Sequence, residues 1–292
     1  MHIKRLIIVA IIASLLGLTG CAKDLVTGKK TYNWYSVAAD IKLGNDVLKS
    51  QSNALRRKKT KKGKPVLDAP QDKKELVQLR KIVARIKPVT HFPAFPYEVH
   101  IADVDVANAW CAPGGKMMVF TGLWDPKKGL VRKGNEAELA AVLAHEMAHA
   151  NARHVTEMVS RGMTIGLIGT AAQTAIYHGA GSTAAGAFGQ AANMGFNIYF
   201  PMYSRGNEAE ADKVGLMYMA KAGYDPRVAV RLWERAARMK NKKPYTIFAS
   251  HPQSGQRAAA LRRMLPKVMP IYEANKDKYK KQTRKKRRKP KK

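Results

Sequence analysis

His145, Glu146 and His149 form the pattern H-E-x-x-H within the stretch Leu139 to Val155. On a helix, residues four apart share a face, so both imidazoles can reach one ion. Zinc suits them, because it takes neutral imidazole nitrogen in a tetrahedral site. Glu146 stands beside His145 and can hold a proton next to that ion. A second pair, Glu208 and Asp212, is also spaced by four residues, inside Tyr203 to Pro226. Glu208 is the natural third ligand, since two histidines leave a zinc site short of its usual three protein ligands. Asp212, one turn on, can hold a ligating imidazole by its other nitrogen. Glu210 falls on a different face and reads as a surface residue or a helix-start charge. Either pattern alone also occurs in ordinary packed or solvated helices. Together, in this order, they argue for a site.

The elements that must carry these residues are legible. Asn135 is a good N-cap for the first helix, with Glu138 at the capping-box position. Leu139, Val142, Leu143 and Met147 recur at helical spacing. Ser204 or Asn207 can cap the second helix and Gly223 can close it. Asp225 and Pro226 start a further helix that runs to about Met239. A last helix follows His251-Pro252, with Ser254 as cap and Arg257 on its first turn. Upstream, Val37 to Leu55 has some apolar periodicity, and Gln71 to Ile86 reads as a helix with Leu76, Leu79, Ile82, Val83 and Ile86 inward. Tyr97 to Ile101 and Lys116 to Thr121 read as short strands, with Pro113-Gly114-Gly115 as a turn. Such strands before a zinc helix can be structural, or can hold an extended peptide beside the metal. Met163 to Tyr177 and Thr183 to Phe196 could form an apolar helical hairpin, neither arm long enough to span a bilayer.

The chain has 292 residues, 46% of them hydrophobic, and a formal net charge of +32. Seven of the nine residues from Arg56 to Lys64 are basic, as are eleven of the fifteen from Lys278 to Lys292. At the start, Lys4 and Arg5 precede an apolar run, Leu6 to Leu18, and then Leu18-Thr19-Gly20-Cys21. That is a signal peptide's layout, too short for a membrane anchor. The L-T-G-C ending resembles the lipobox of bacterial lipoproteins, which implies cleavage before Cys21 and a lipid on that cysteine. Ala22, rather than aspartate, then favours the outer membrane. Cys111 is left without an intramolecular partner and is expected as a small buried hydrophobe. The expected division is a signal over 1–20, a tether with a lead-in helix and a basic run over 21–70, a catalytic domain over 71–270 and a disordered polybasic tail over 271–292.

On NAWCAPGG…TGL, AHEMAHANARH, SRGNEAEAD and the late SHP…R, the chain resembles the zinc peptidases that include the HtpX heat-shock protease and the CAAX prenyl endopeptidase. The resemblance covers about Ser36 to Leu265 and points to the short, lipid-anchored periplasmic branch. It implies an α+β, zincin-like fold, mostly helical with a small antiparallel sheet. It implies one zinc ion per chain held by His145, His149 and Glu208, with Glu146 as general base and acid and Asp212 behind a ligand. A histidine matching His251 can approach and occlude the zinc in periplasmic relatives. Peptide hydrolysis also needs a second donor for the tetrahedral oxyanion, for which His251 and Arg257 are the candidates. The implied substrates are misfolded or misassembled proteins of the cell envelope. A chaperone-like binding protein with a mostly closed zinc site is the competing expectation. The basic runs lie outside the family pattern. They suit anionic envelope polymers or lipids, and an exported chain is not expected to meet nucleic acid.

Overall fold

The computed structural model describes residues 21–28, 30–60, 63–176, 203–239, 251 and 255–278, without the side chains of Cys21 and of 166–176. The export segment, the second arm of the expected hairpin, the Ser254 cap and the end of the basic tail lie outside the described residues.

Two short strands, β1 (Cys21–Lys23) and β2 (Lys30–Tyr32), pair antiparallel. Helix α1 (Val37–Arg56) starts at Ser36, whose hydroxyl accepts from the Ala39 N–H. It is docked rather than free. Gly44 lies against the backbone of Pro113, and Gly114, at φ 70°, lies against Ile41, so a side chain at either would collide with the opposite backbone. Helix α2 (Lys73–Ile86) buries Leu76, Leu79, Ile82, Val83 and Ile86, as its periodicity predicts.

The sheet differs from expectation. Strands β3 (Glu98–Ala102), β4 (Ala109–Ala112) and β5 (Lys116–Phe120) lie in the order β3-β5-β4. β4 and β5 form an antiparallel hairpin, but β3 runs parallel to β5, so the sheet is mixed, not antiparallel. The reason is that β5 is buried along its whole length. A strand covered on both faces reads as a continuous apolar run and takes the centre of the sheet. The intervening β4 then moves to the outer edge.

Helix α3 (Glu136–Asn151) crosses behind the sheet, buried from Glu138 to Asn151. A helix apolar on all sides belongs in the interior. Asn135 caps it by accepting from the Glu138 N–H. The Glu138 carboxylate does not return to Asn135; it accepts from the Arg132 N–H and pairs with Arg235. Helix α4 (His154–Ile176) follows after a sharp break at Ala152 and Arg153. Helix α5 (Arg205–Lys221) begins at Ser204, in a full capping box with Asn207, and ends before Gly223, at φ 73°. Helix α6 (Pro226–Arg238) is capped by Asp225. Helix α7 (Gly255–Asn275) runs through Pro266 and Pro270 and past residue 270, beyond which the tail is expected. Each proline removes one backbone hydrogen bond, and packing holds the helix together: Val268 is fully buried, and Ile271 and Tyr272 rest on the core. Among the described residues no helix is long and apolar enough to cross a membrane.

Candidate metal centre

Helices α3 and α5 cross where Gly215 meets His145. A Cβ on Gly215 would lie 3.0 Å from the His145 Cα and N. This close approach puts Glu208 and Asp212, both on α5, against the two histidines of α3. The Nε2 atoms of His145 and His149 are 3.1 Å apart. Glu208 Oε1 is 3.3 Å from His149 Nε2, and Oε2 is 3.6 Å from His145 Nε2. His251 enters from the far side, with Nδ1 2.8 Å from Glu208 Oε1 and 3.3 Å from His145 Nε2. One ligand atom from each of His145, His149, Glu208 and His251 lies within 4.8 Å of all the others, and all four residues are buried.

The donor set fits zinc: three imidazole nitrogens and one carboxylate oxygen, all on buried residues. Glu146 and Glu208 bring two carboxylates into this buried setting, each facing a cationic or imidazole partner: Glu208 Oε2 faces Arg257 and Glu146 Oε1 faces His251. The electrostatics agree. Burial disfavours the His145 cation, but Asp212 and Glu208 beside it outweigh burial and push the group up to about 9. A metal bound there would displace that proton, so binding at His145 would release it. Burial holds His149 well below the ordinary histidine range, in the neutral form a metal requires. Burial alone would raise Glu208, yet His251, His145 and His149 keep its carboxyl far below the usual carboxylate range.

Around this cluster stand the remaining residues singled out by the sequence. Asp212 Oδ1 is 3.1 Å from His145 Nδ1, the nitrogen turned away from the cluster. Glu146 Oε1 is 3.3 Å from His251 Nε2. The backbone N–H of Cys111, on edge strand β4, donates to the Glu146 carboxylate, which burial pushes above the ordinary glutamate range against the pull of His251 and His145. Cys111 itself is a buried free thiol, as expected. Arg257, a candidate oxyanion donor from the sequence, turns its guanidinium to two carboxylates. Nε and Nη2 donate to Asp212 at 2.7 and 2.8 Å, and Nη1 is 2.5 Å from Glu208 Oε2. It therefore ties the two carboxylates together, its charge lying over the Trp233 ring. Cys21 opens β1, far in sequence from the centre, and its side chain is not among those described.

Two residues were missed. Tyr203 stacks on His149 with ring centroids 3.8 Å apart. His154 places Nδ1 2.9 Å from His149 Nδ1, and its Nε2 is 3.3 Å from Glu210 Oε2. Glu210 is thus no idle surface charge. Its role is hidden because His154 follows His149 by five residues, which on an unbroken helix would put it on another face.

A buried cluster of three histidines and a carboxylate, with a second glutamate against it, defines a metal-dependent centre of the kind that H-E-x-x-H helices build. Residues 73–265 match peptidase family M48, and the chain belongs to that family. Several curated relatives carry protease names. The chain is 34% identical to mitochondrial metalloendopeptidase OMA1 of Schizosaccharomyces pombe over 192 residues, covering 64% of this chain and 52% of that protein. It is 30% identical to metalloprotease LoiP of Escherichia coli over 166 residues, 57% of this chain and 61% of that protein. It is 26% identical to a β-barrel assembly-enhancing protease of Yersinia pestis over 192 residues, 63% of this chain and 37% of that protein. The matched stretch therefore spans between about a third and three-fifths of these relatives' lengths.

Proposed function

We propose that this protein is a zinc-dependent endopeptidase of the bacterial cell envelope, lipid-anchored at Cys21, that removes misfolded or misassembled envelope proteins. The observation that carries the enzymatic reading is the buried cluster of His145, His149, Glu208 and His251 with Glu146 against it. His145, His149 and Glu208 are the ligands of one zinc ion, which when bound supplies a Lewis acid for the scissile carbonyl and the attacking water. Glu146 takes the proton of that water and returns it to the leaving amine. Its raised carboxyl is suited to both halves of the exchange, because a base and acid serves best with a pKa near the working pH. Asp212 orients His145 through Nδ1, and Arg257 holds Asp212 and Glu208 in place. His251 fills the space between Glu208 and Glu146, so a peptide must displace it, and it gates the centre.

The short branch of the family suits the chain, since among the described residues no helix is long and apolar enough to cross a membrane. The names of the Escherichia coli and Yersinia pestis relatives, a metalloprotease and a β-barrel assembly-enhancing protease, support a protease. The lipobox supports the anchor, with the outer membrane favoured by Ala22, and the basic runs suit anionic envelope lipids or polymers. The deciding experiment is Glu146→Gln. It should keep zinc and lose casein hydrolysis by about 10²–10⁴-fold, and envelope proteins that accumulate in cells carrying it are the substrates. Wild-type hydrolysis by the variant would refute the mechanism.

A further inference from the structure

His154 lies outside the group of potential ligands, yet it is 2% exposed and touches His149 directly. Two histidine nitrogens 2.9 Å apart make a hydrogen bond only if one carries a proton and the other a lone pair. The other end of His154 decides which. Its Nε2 faces the Glu210 carboxylate at 3.3 Å, and an ionised carboxylate only accepts. In a singly protonated His154 ring the proton therefore sits on Nε2, against the carboxylate, and Nδ1 offers a lone pair. His149 must then donate from its own Nδ1, which leaves the lone pair on His149 Nε2. That atom is the one facing His145 and Glu208.

The backbone is arranged to make this contact. Helix α3 stops after Asn151, Arg153 takes φ 58°, and α4 starts at His154. A non-glycine residue in the left-handed region is uncommon and needs support from its surroundings. Arg153 has that support, because its Nε donates to the buried Asp40 at 2.6 Å and its Nη2 donates to the Tyr35 carbonyl. The break folds the chain back so that a residue five positions after His149 returns to its ring.

Resting on the zinc reading, we propose that His154 is a positioning residue that, oriented by Glu210, fixes the tautomer and ring orientation of His149 for metal binding. Glu210 acts on the metal only through His154. Outer partners of ligating histidines are usually a carboxylate, a carbonyl or a water, and their loss typically costs 10–100-fold in metal affinity. Here the carboxylate works at one remove.

The test measures zinc affinity of the full chain by competition with a chromophoric chelator, beside the melting temperature of the metal-free protein. His154→Phe keeps a ring but removes the acceptor, and should weaken zinc about 10–100-fold. Glu210→Ala, at a partly exposed carboxylate that folding tolerates, should weaken it in the same direction. Glu210→Gln should restore most of the affinity, since its amide oxygen still accepts from Nε2. Adding Glu210→Ala to His154→Phe should cost nothing more, the signature of two residues acting in series. Nitrogen-15 spectra of the metal-free protein should show His149 protonated at Nδ1 and His154 at Nε2. Wild-type affinity in His154→Phe, or fully additive losses in the double variant, would overturn this inference while His149→Phe still lost zinc. A wild-type chain that holds no zinc would overturn the metal reading itself, and this inference with it.

Discussion

Gly215 is the point where the site is most sensitive to a single methyl group. A Cβ there would stand 3.0 Å from the Cα and N of His145 and 3.1 Å from the carbonyl carbon of Ala144, all backbone atoms. Carbon atoms rest at about 3.5–4.0 Å, so Gly215→Ala must separate α3 and α5 by about 0.5 Å. The same shift carries Asp212 and Glu208 away from the histidines. The His145 Nδ1 to Asp212 contact, now 3.1 Å, would open to about 3.6 Å, beyond a useful hydrogen bond. Alanine gains about 1 kcal/mol over glycine in a helix interior, while overpacking costs about 1–3 kcal/mol. The net change is a loss of up to about 2 kcal/mol. Zinc affinity should fall about tenfold or more, as when an outer partner of a ligating histidine is lost. Calorimetric melting of the metal-free protein and chelator competition measure the two effects separately. A variant that melts higher than wild type and binds zinc as tightly would show that the helix contact does not set the ligand spacing.

Other outcomes follow from the same geometry. Glu146 must be ionised to accept a proton and burial raises its pKa, so kcat/KM should fall as pH drops through a value above the ordinary glutamate range near 4.3; an acid limb at or below that value would remove Glu146 as the base. Arg257→Ala leaves Asp212 and Glu208 buried without their shared cation, and should destabilise the chelated protein by about 3–5 kcal/mol in urea unfolding; a change under about 1 kcal/mol would mean that the triad is solvated like a surface pair. Cys21→Ser should abolish fatty-acid labelling and move the protein from membrane to soluble fractions; unchanged labelling would rule out the anchor.

The residues of the centre were legible because each pair sits on one helix at the spacing of one turn. His145 with His149, and Glu208 with Asp212, need only helical geometry to share a face. The caps at Asn135, Ser204 and Asp225 were readable for the same local reason. What was not legible depends on residues far apart in the chain. The parallel pairing of β3 with β5 follows from which strand is buried on both sides. The docking of α1 depends on Gly44 meeting the turn at Pro113, far along the chain. His154 was hidden by the break at Arg153, whose support comes from Asp40 and Tyr35. The contacts of Arg257 with Asp212 and Glu208 were hidden too, because sequence distance does not say that α7 returns to α5.

Helix α7 follows α3 and α5 along the chain, so it is also made after them. Chains are made N-terminus first, and early segments begin folding before late ones exist. Helices α3 and α5 are complete by residue 221, but the guanidinium that reconciles Glu208 with Asp212 belongs to residue 257. His251 arrives only slightly earlier. Until then the two carboxylates have no arginine between them, and the α3–α5 crossing lacks the packing of α7. A growing chain therefore carries every ligand of the centre before it can hold them in register.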